Sequence, residues 1–461
     1  MIVKNNFEIA TQSENKNNRF ENIMLLLIMA FTAMYIVFHQ AGKTSILNLL
    51  GFLIVFCVLI SPIEINIYQL AFISPYFMLI AIAGTACINF MIFIVFAKLV
   101  IKKLTAPTFV IYITLIFIFV EVIFKILAKQ SFTTSMLHWI ISLALFCWLI
   151  VDSEIYIDSS KIIKWYSCAM TVVSCTVIIY NWGKSISVFT RNDIIANAYL
   201  EKNFYALFIL IMITSVINYM LVNGFSVVYT IMIGICFISA LFMISKSFLI
   251  TTALCMLLYL IFLINKPKYW LIFISLIAVA FFIILSNERL SEIFNIYLER
   301  FTLAQDIDQL TTGRSNIYKN YIQYLLDHPL ALFFGGGLFS FKFKFRVLLD
   351  GTNIVASPHN IFIELVSSWG IIGGIAFIIL LVLLYRNYLK RFAVIRKGLI
   401  GYIPLFAFVF GLQSLQYIYE RNFFLFVFYI FNCITFYKSY DSKTKKMVYN
   451  QQQENNSMID T

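Results

Sequence analysis

The sequence is poor in charge and lacks the paired cysteines of a disulfide-bonded or zinc-binding protein. Only 12% of its residues are Asp, Glu, Lys or Arg, whereas 61% are hydrophobic. Its eight cysteines show no CxxC spacing and lie within or beside apolar runs, so we interpret them as packing residues. We also expect no cleavable secretory signal, because residues 1–20 are polar and the first apolar run, 23–38, has no small-residue cleavage site. We expect this run to remain as a membrane anchor.

The sequence contains many long apolar runs. Runs of about 17 to 25 residues can cross a bilayer as helices. Lipid offers the backbone no hydrogen-bond partner, so the predicted fold class is all-α, a polytopic membrane helix bundle of about 12 to 14 spans with one large outer loop. The clearest runs after residue 100 are 107–128, 135–151, 163–181, 203–222, 226–244, 247–264, 268–286, 361–385, 400–417 and 422–437.

The net charge of +12 has a topological explanation. Membrane proteins concentrate Lys and Arg in cytoplasmic loops, so the basic balance does not require a nucleic-acid partner. Segment 385–398 carries several basic residues and no acid, which places it in the cytoplasm. Alternation of the later spans then puts the long segment 287–360 on the outer side, with the turns near 182–202 and 418–422.

These assignments predict five parts of the chain. They are a cytoplasmic tail at 1–22, a transmembrane bundle at 23–286, an outer loop at 287–360, closing transmembrane helices at 361–437 and a disordered cytoplasmic tail at 438–461. The stretch 62–97 is ambiguous, because a cytoplasmic N-terminus requires an even number of crossings before Lys98. Either this stretch holds two short crossings, or one early run is re-entrant.

The outer loop has the pattern of an ordered segment. Residues 316–328 place Ile317, Tyr321, Tyr324 and Leu325 at helical spacing, which predicts an amphipathic helix on the membrane surface. Three glycines, Gly335 to Gly337, then predict a turn. The stretch 341–346 alternates apolar and basic residues and suits a short strand or an interfacial strap.

Four basic side chains are predicted to face the same outer compartment. They are Arg191, Lys246, Arg314 and His359. Cations gathered at headgroup level suit an anionic group such as a lipid-linked diphosphate, to which Arg presents a planar fork of donors. The alternative for each is contact with a lipid phosphate or a nearby acid. His359 and Asn360 open a span after a polar stretch, so a cavity-lining histidine that accepts a proton is the functional interpretation, beside a structural hydrogen-bonded one.

Two acidic features have structural interpretations that come first. Glu121 and Lys125 lie four apart within a span, which favours mutual neutralisation over a role in a cavity. Asp306 and Asp308 have the spacing of a metal site, but two carboxylates at this spacing are common by chance, and we predict no metal. In the short turn between the last two spans lies a weaker candidate pair for sugar or phosphate, Glu420 and Arg421.

The order of short motifs resembles the O-antigen polymerase and O-antigen ligase superfamily of bacterial membrane glycosyltransferases. The resemblance covers roughly residues 180 to 385 and rests on motifs in this order: Gly313-Arg314, Ile317-Tyr318, His328-Pro329, Gly335 to Gly337, His359-Asn360, Gly370 and Gly373-Gly374. It implies a multi-pass protein of the cytoplasmic membrane that transfers a glycan from undecaprenyl diphosphate to a sugar hydroxyl. No cofactor, metal or nucleotide sugar is implied.

The resemblance also implies roles for individual residues. It assigns catalysis to His359 and Arg314 and donor binding to Arg191, with Lys246 as a weaker donor-binding candidate. Asn360, next to His359, is a further donor-binding candidate, which can hold either the imidazole or a sugar. Lys246 stands where the family often has Arg, which removes the bidentate fork, and Tyr318 stands where it often has Trp. A chain-length regulator is the protein partner implied for a polymerase.

Two other functions remain open. A ligase that moves finished polysaccharide onto lipid A core, or a related transferase acting on protein, fits the same layout. A flippase for lipid-linked oligosaccharide is less favoured, because we see no internal repeat and the polar candidates lie at the outer edge rather than at the midplane.

Overall fold

The computed structural model describes most of the chain between Ile2 and Tyr437. The described residues are 2–77, 79–103, 107–127, 133–155, 157–183, 202–264, 274, 284–302, 314–338, 347–349, 352–354, 358–390, 398–415, 417–418, 420 and 422–437. Several sequence-based predictions lie outside them, namely those for Arg191, Asp306, Asp308, Arg421, the stretch 341–346 and the tail 438–461.

Helices dominate this described part, and the prediction of an all-α membrane protein is confirmed. The helices are α1 (Ile2–Gln40), α2 (Thr44–Ile60), α3 (Ile63–Ile73), α4 (Cys87–Lys103), α5 (Thr108–Leu127), α6 (Thr134–Val151), α7 (Ser159–Asn181), α8 (Lys202–Asn223), α9 (Val227–Leu241), α10 (Lys246–Leu263), α11 (Glu288–Thr302), α12 (Arg314–Asp327), α13 (Pro329–Phe334), α14 (Ile361–Leu389), α15 (Ile403–Gly411) and α16 (Phe423–Tyr437). Two small antiparallel hairpins pair β1 (Ala81–Ile82) with β2 (Thr85–Ala86) and β3 (Val347–Leu349) with β4 (Thr352–Ile354).

Seven helices in the described ranges are long and apolar enough to cross a membrane. They are Asn18–His39, Thr108–Ile126, Thr134–Val151, Ser159–Asn181, Asn203–Asn223, Lys246–Leu263 and Ile361–Leu389. Shorter apolar helices occupy Ser45–Ile60, Val227–Leu241, Ile400–Gly411 and Phe423–Tyr437. The predicted span 268–286 falls mostly outside the described residues, so the total of about 12 to 14 spans stays a prediction.

The ambiguous stretch 62–97 contains two short helices, α3 and α4, separated by a hairpin. Lys98 on α4 donates hydrogen bonds to the carbonyl oxygens of Val58 and Ser61 at the end of α2, at 2.7 and 2.6 Å. The end of α2 and the basic end of α4 therefore lie together. Two short crossings and a re-entrant hairpin both give this arrangement, so both interpretations of the stretch stay open.

The N-terminal polar residues belong to α1 rather than to a separate segment. This helix begins at Ile2, whereas the apolar run that we expected to form the span begins near Ile23. The apolar part of α1 packs on α2 and α7. The polar residues thus extend the first span as continuous helix.

Two amphipathic helices lie in the predicted outer loop. In α12, Ile317, Tyr321 and Leu325 are buried along one face, over the stretch where the sequence predicted a helix, and the predicted place of this helix on the membrane surface stays a prediction. In α11, which we did not predict, Leu290 and Tyr297 are buried on one face. The spacing of three and four residues could have revealed α11.

The longest helix after α1, α14, is broken at Gly370. This residue has φ 67° and ψ −177°, a non-helical conformation with positive φ in the middle of the helix. The predicted turn of Gly335 to Gly337, which we call the glycine turn, packs directly into this break. A Cβ at Gly370 would lie 2.1 Å from the carbonyl oxygen of Phe333, so only glycine allows this approach. Part of the predicted outer loop therefore packs beside a membrane span.

Candidate functional site

The residues around the start of α14 form what we call the outer mouth, which comprises residues 358–360 with Arg314, Tyr318 and Gln413. Asn360 is the N-cap of α14, and its side-chain oxygen accepts hydrogen bonds from the backbone N–H groups of Phe362 and Ile363 at 3.0 and 3.3 Å. Its amide nitrogen donates to Oε1 of Gln413 at 3.0 Å. Both ends of the Asn360 amide are thus engaged in holding the mouth together.

His359 stands in a backbone conformation that side chains rarely adopt. Its φ is 45°, in the left-handed region, where strained non-glycine residues cluster at functional sites. The hydroxyl of Tyr318 lies 3.0 Å from the carbonyl oxygen of His359 and 2.7 Å from that of Gln413, and can donate to either. Helix α12 therefore supports the histidine through its backbone and leaves the imidazole for other contacts.

Burial and a neighbouring cation keep the imidazole neutral. Burial is the larger cause and the positive charge of Arg314 the smaller one, and together they lower the pKa of His359 from 6.5 to about 4. Burial also raises the pKa of Tyr318, against the opposing effects of Arg314 and Asn360. At neutral pH the mouth therefore presents a neutral imidazole and a cationic guanidinium close to each other.

A buried carboxylate lies one helical turn below the mouth. Glu364 is fully buried, and its Oε2 accepts hydrogen bonds from the backbone N–H groups of Tyr417 and Ile418, each at 3.2 Å. Its negative charge adds to burial in raising the pKa of Tyr321 on α12. We did not single out Glu364, although an acid inside a span is a signal for function that the sequence carries.

The candidate Glu420 lies in the turn that Glu364 holds. Its backbone N–H donates to the carbonyl oxygen of Tyr417 at 2.9 Å. The turn also follows Gln413, which binds Asn360. Glu420 thus lies in the turn bound by Glu364, below the outer mouth, while its predicted partner Arg421 is outside the described residues.

Lys246 belongs to a second cluster, at the start of α10. Ser245 caps this helix and donates to Oδ1 of Asn203 at 2.8 Å, while its backbone N–H donates to the hydroxyl of Tyr297 on α11 at 3.0 Å. The ammonium of Lys246 lies 5.8 Å from the centroid of the Phe301 ring. Helix α11 thus positions Lys246, and the described contacts do not join it to His359.

In the part of the chain that the structure describes, no group of three or more His, Cys, Asp or Glu residues is placed to hold a metal ion. The outer mouth offers the cationic guanidinium of Arg314 and the neutral imidazole of His359, and the buried Glu364 lies one turn below them. A guanidinium is suited to binding an anion, and a neutral imidazole is suited to accepting a proton.

Comparison with known proteins gives one match. The sequence model of a protein family described as O-Antigen ligase matches residues 231–378, about a third of the chain. No curated protein and no solved structure matches. The matched residues include Lys246, Arg314, the glycine turn and His359, whereas Gln413 and Glu420 lie beyond the matched range. The chain is a multi-pass membrane protein whose similarity supports the O-antigen polymerase and ligase superfamily and a membrane glycosyl-transfer function of that type.

Proposed function

We propose that this protein is a polysaccharide polymerase of the bacterial cytoplasmic membrane. It would transfer a growing O-antigen or capsule glycan from undecaprenyl diphosphate to a sugar hydroxyl of another lipid-linked repeat unit, on the outer face. The observation that carries the proposal is the neutral imidazole of His359 beside the guanidinium of Arg314. A neutral imidazole accepts a proton, and a guanidinium binds phosphate oxygens.

The transfer step requires one bond to form and one to break. The acceptor hydroxyl oxygen bonds to the anomeric carbon of the donor while the bond from this carbon to the diphosphate oxygen breaks. The electron pair of the broken bond leaves with the diphosphate, which stays on the lipid carrier. The hydroxyl proton passes to His359, and Arg314 stabilises the charge developing on the diphosphate.

The same two residues would make the base stronger when donor is bound. In the unoccupied mouth the charge of Arg314 helps to lower the pKa of His359. A bound diphosphate brings negative charge that offsets the guanidinium, so the pKa of His359 rises. Proton transfer is then favoured at the moment when both substrates are present.

The remaining candidates take supporting roles in this proposal. Arg191 and Lys246 bind the diphosphate from the other outer turns, and Glu420 and Arg421 contact sugar or phosphate. Tyr318 holds the backbone of His359 and Asn360 caps the helix that follows it, roles that their hydrogen bonds support. Fixed cations replace a metal ion, and a chain-length regulator is the proposed protein partner.

A ligase is the second candidate, because the matching family is described as O-Antigen ligase. A ligase would carry out the same chemistry at the donor, with lipid A core or protein as acceptor. The outer mouth serves either acceptor in the same way. The length of glycan on each carrier separates the two functions.

The test is a gel profile of surface and lipid-linked glycans from cells that lack the gene. These cells would be complemented with wild type, His359→Ala or Arg314→Ala at matched protein levels, with His39→Ala as control, since His39 stacks on Tyr35 in the last turn of α1. A polymerase predicts loss of the long ladder while single repeats still reach their acceptor. Neither site variant should restore the ladder, whereas the control should.

Other outcomes assign other functions. Full-length polymer accumulating on the lipid carrier would identify a ligase. Repeats trapped on the cytoplasmic face would identify a transporter. Full restoration by both site variants would remove His359 and Arg314 from the chemistry.

A further inference from the structure

The break in α14 leaves backbone carbonyl groups without helical partners inside a span. The glycine turn supplies the missing donors. The N–H of Gly336 lies 3.0 Å from the carbonyl oxygen of Ser367, and the N–H of Gly337 donates to that of Ser368 at 2.7 Å. Irregular backbone at this depth is tolerated only where such groups are satisfied within the protein.

The residue after the glycine turn is held from a different helix. The backbone N–H of Leu338 donates to the Glu121 carboxylate on α5, at 3.0 and 3.2 Å to its two oxygens. The carbonyl oxygen of the same residue accepts from the ammonium of Lys125 at 2.8 Å. One peptide segment is thus bound on its donor side by an anion and on its acceptor side by a cation.

Both charged side chains are withdrawn from lipid and water. Glu121 is 0% exposed and Lys125 is 3% exposed. Glu121 also accepts from the indole nitrogen of Trp369, beside the break, at 2.9 Å. Ionisable residues at such a depth are costly, and mutual neutralisation alone does not explain why both point to Leu338.

The segment held in this way connects two parts of the outer mouth. Arg314 lies on α12, which leads through α13 and the glycine turn to Leu338, and the chain after Leu338 leads to His359. Helix α12 meets the mouth at Tyr318. Leu338 is the end of the α12–α13 segment that lies farthest along the chain from Arg314. Holding Leu338 therefore also holds this segment in place.

We propose that Glu121 and Lys125 are positioning residues that hold Leu338 through hydrogen bonds and so set the placement of Arg314 relative to His359. The proposal rests on the function proposed above. The two side chains touch neither donor nor acceptor. They act through the glycine turn and α12.

Two double variants separate hydrogen bonding from charge neutralisation. Glu121→Met/Lys125→Met is neutral and similar in volume, and it should insert and fold well, since apolar residues often replace a buried ion pair without loss of stability. It cannot bind Leu338. Glu121→Gln/Lys125→Gln is equally neutral but keeps an acceptor and a donor at the two positions.

The measurements are the initial rate of glycan transfer in membranes supplied with lipid-linked repeat units, and amide hydrogen exchange of residues 329–338 in the purified full-length protein. We expect the methionine pair to lose about 100-fold in rate, because a misplacement of about 1 Å at a catalytic group costs this much. Its residues 329–338 should exchange faster. The glutamine pair should retain the protection and a rate within about threefold of wild type.

Trp369→Phe is the matched control. It removes another hydrogen bond of Glu121 in the same cavity but leaves Leu338 bound, so it should keep the rate and the protection. Wild-type rate in the methionine pair would overturn the proposal, whether or not exchange increases. Equal loss in the glutamine and methionine pairs would overturn it too, because charge and not hydrogen bonding would then matter.

Failure of the proposed function looks different. In that case His359→Ala and Arg314→Ala would match wild type in the transfer assay, and the hydrogen-exchange comparison would still report on how Leu338 is held. Failure of the positioning role alone would show inactive His359→Ala and Arg314→Ala proteins beside either a fully active methionine pair or a glutamine pair that loses as much rate as the methionine pair.

Discussion

Helix α14 meets the rest of the candidate site at two places, its outer mouth and its break at Gly370, and the two are held in different ways. At the mouth, side chains make the contacts: Asn360 binds a backbone N–H and the side chain of Gln413, and Tyr318 binds a backbone carbonyl oxygen. At the break, backbone binds backbone at distances that exclude a methyl group. The comparison indicates that the mouth can be adjusted by side-chain substitution, whereas the break accepts none. Substitutions at the mouth can change function because the backbone at the break stays fixed.

The largest effect is expected from Gly370→Ala at the break. The new Cβ would lie 2.1 Å from the carbonyl oxygen of Phe333, and φ is 67°. Overpacking and left-handed strain together cost about 3 kcal/mol, so the variant should lose most of its folded protein in detergent gel filtration. Gly374→Ala is the control, because its Cβ would meet Leu365 at an ordinary 3.7 Å. Equal yields of the two variants would contradict the tight fit.

The next effect is at the mouth, where Arg314→Gln should lower the transfer rate about 100-fold through lost stabilisation of the leaving diphosphate. It should also change the pH profile. The pKa of His359 is depressed, so its neutral form is favoured by folding, and this contribution to stability is present above pH 6.5 and lost as pH falls toward about 4.

The acid limb of kcat/KM reports the same ionisation. In wild type we expect it near pH 4, where His359 becomes protonated. Removing the guanidinium should move it upward, but not as far as 6.5, since burial is the larger cause. Rates measured from pH 3.5 to 8 give the limb, and an unmoved limb in Arg314→Gln would separate the two residues.

A smaller effect is expected from Asn360→Ala, which tests whether this residue is a cap or a donor ligand. Loss of an N-cap costs about 1 kcal/mol of stability. Asn360→Ser keeps a capping oxygen and should recover most of the thermal stability. If Asn360→Ser recovered the stability but raised KM for the lipid-linked donor tenfold, donor binding would be the main role of the amide.

The smallest effect is expected at the second cluster, from Lys246→Met. A partly exposed cation contributes up to about 1 kcal/mol to a charge interaction, so KM for the donor should rise only a few-fold. Lys246→Arg supplies the fork that lysine lacks and should lower KM below the wild-type value. A loss as large as that of Arg314→Gln would place Lys246 at the reacting diphosphate.

Local patterns in the sequence predicted the pieces of the site but not their contacts. Helix α12 followed from apolar spacing, the glycine turn from three consecutive glycines, and the neighbourhood of Glu121 and Lys125 from their separation of four. The cap at Asn360 could have been recognised as well, since Asn before an apolar run is a helix-start signal. These features involve residues within one or two turns of each other.

The sequence could not show the contacts between residues that lie far apart in the chain. Glu121 and Leu338 are 217 residues apart, and Tyr318 and Gln413 are 95 apart. No local pattern specifies which distant peptide a buried carboxylate will bind. The role of Gln413 in particular has no signal in the sequence, because an isolated glutamine at the end of an apolar run is ordinary.

The separation along the sequence between Glu121 and its hydrogen-bond partners also sets the order in which the site forms during synthesis. Trp369 is 248 residues downstream, so α5 leaves the ribosome long before the glycine turn or the break exists. During that interval Glu121 and Lys125, one helical turn apart on α5, are each other's nearest partner for charge neutralisation as the helix enters the bilayer. The segment that carries Arg314 can be locked only after Gly370 has been synthesised. The site would therefore be assembled last, as one late step in a chain whose early helices are already in the membrane.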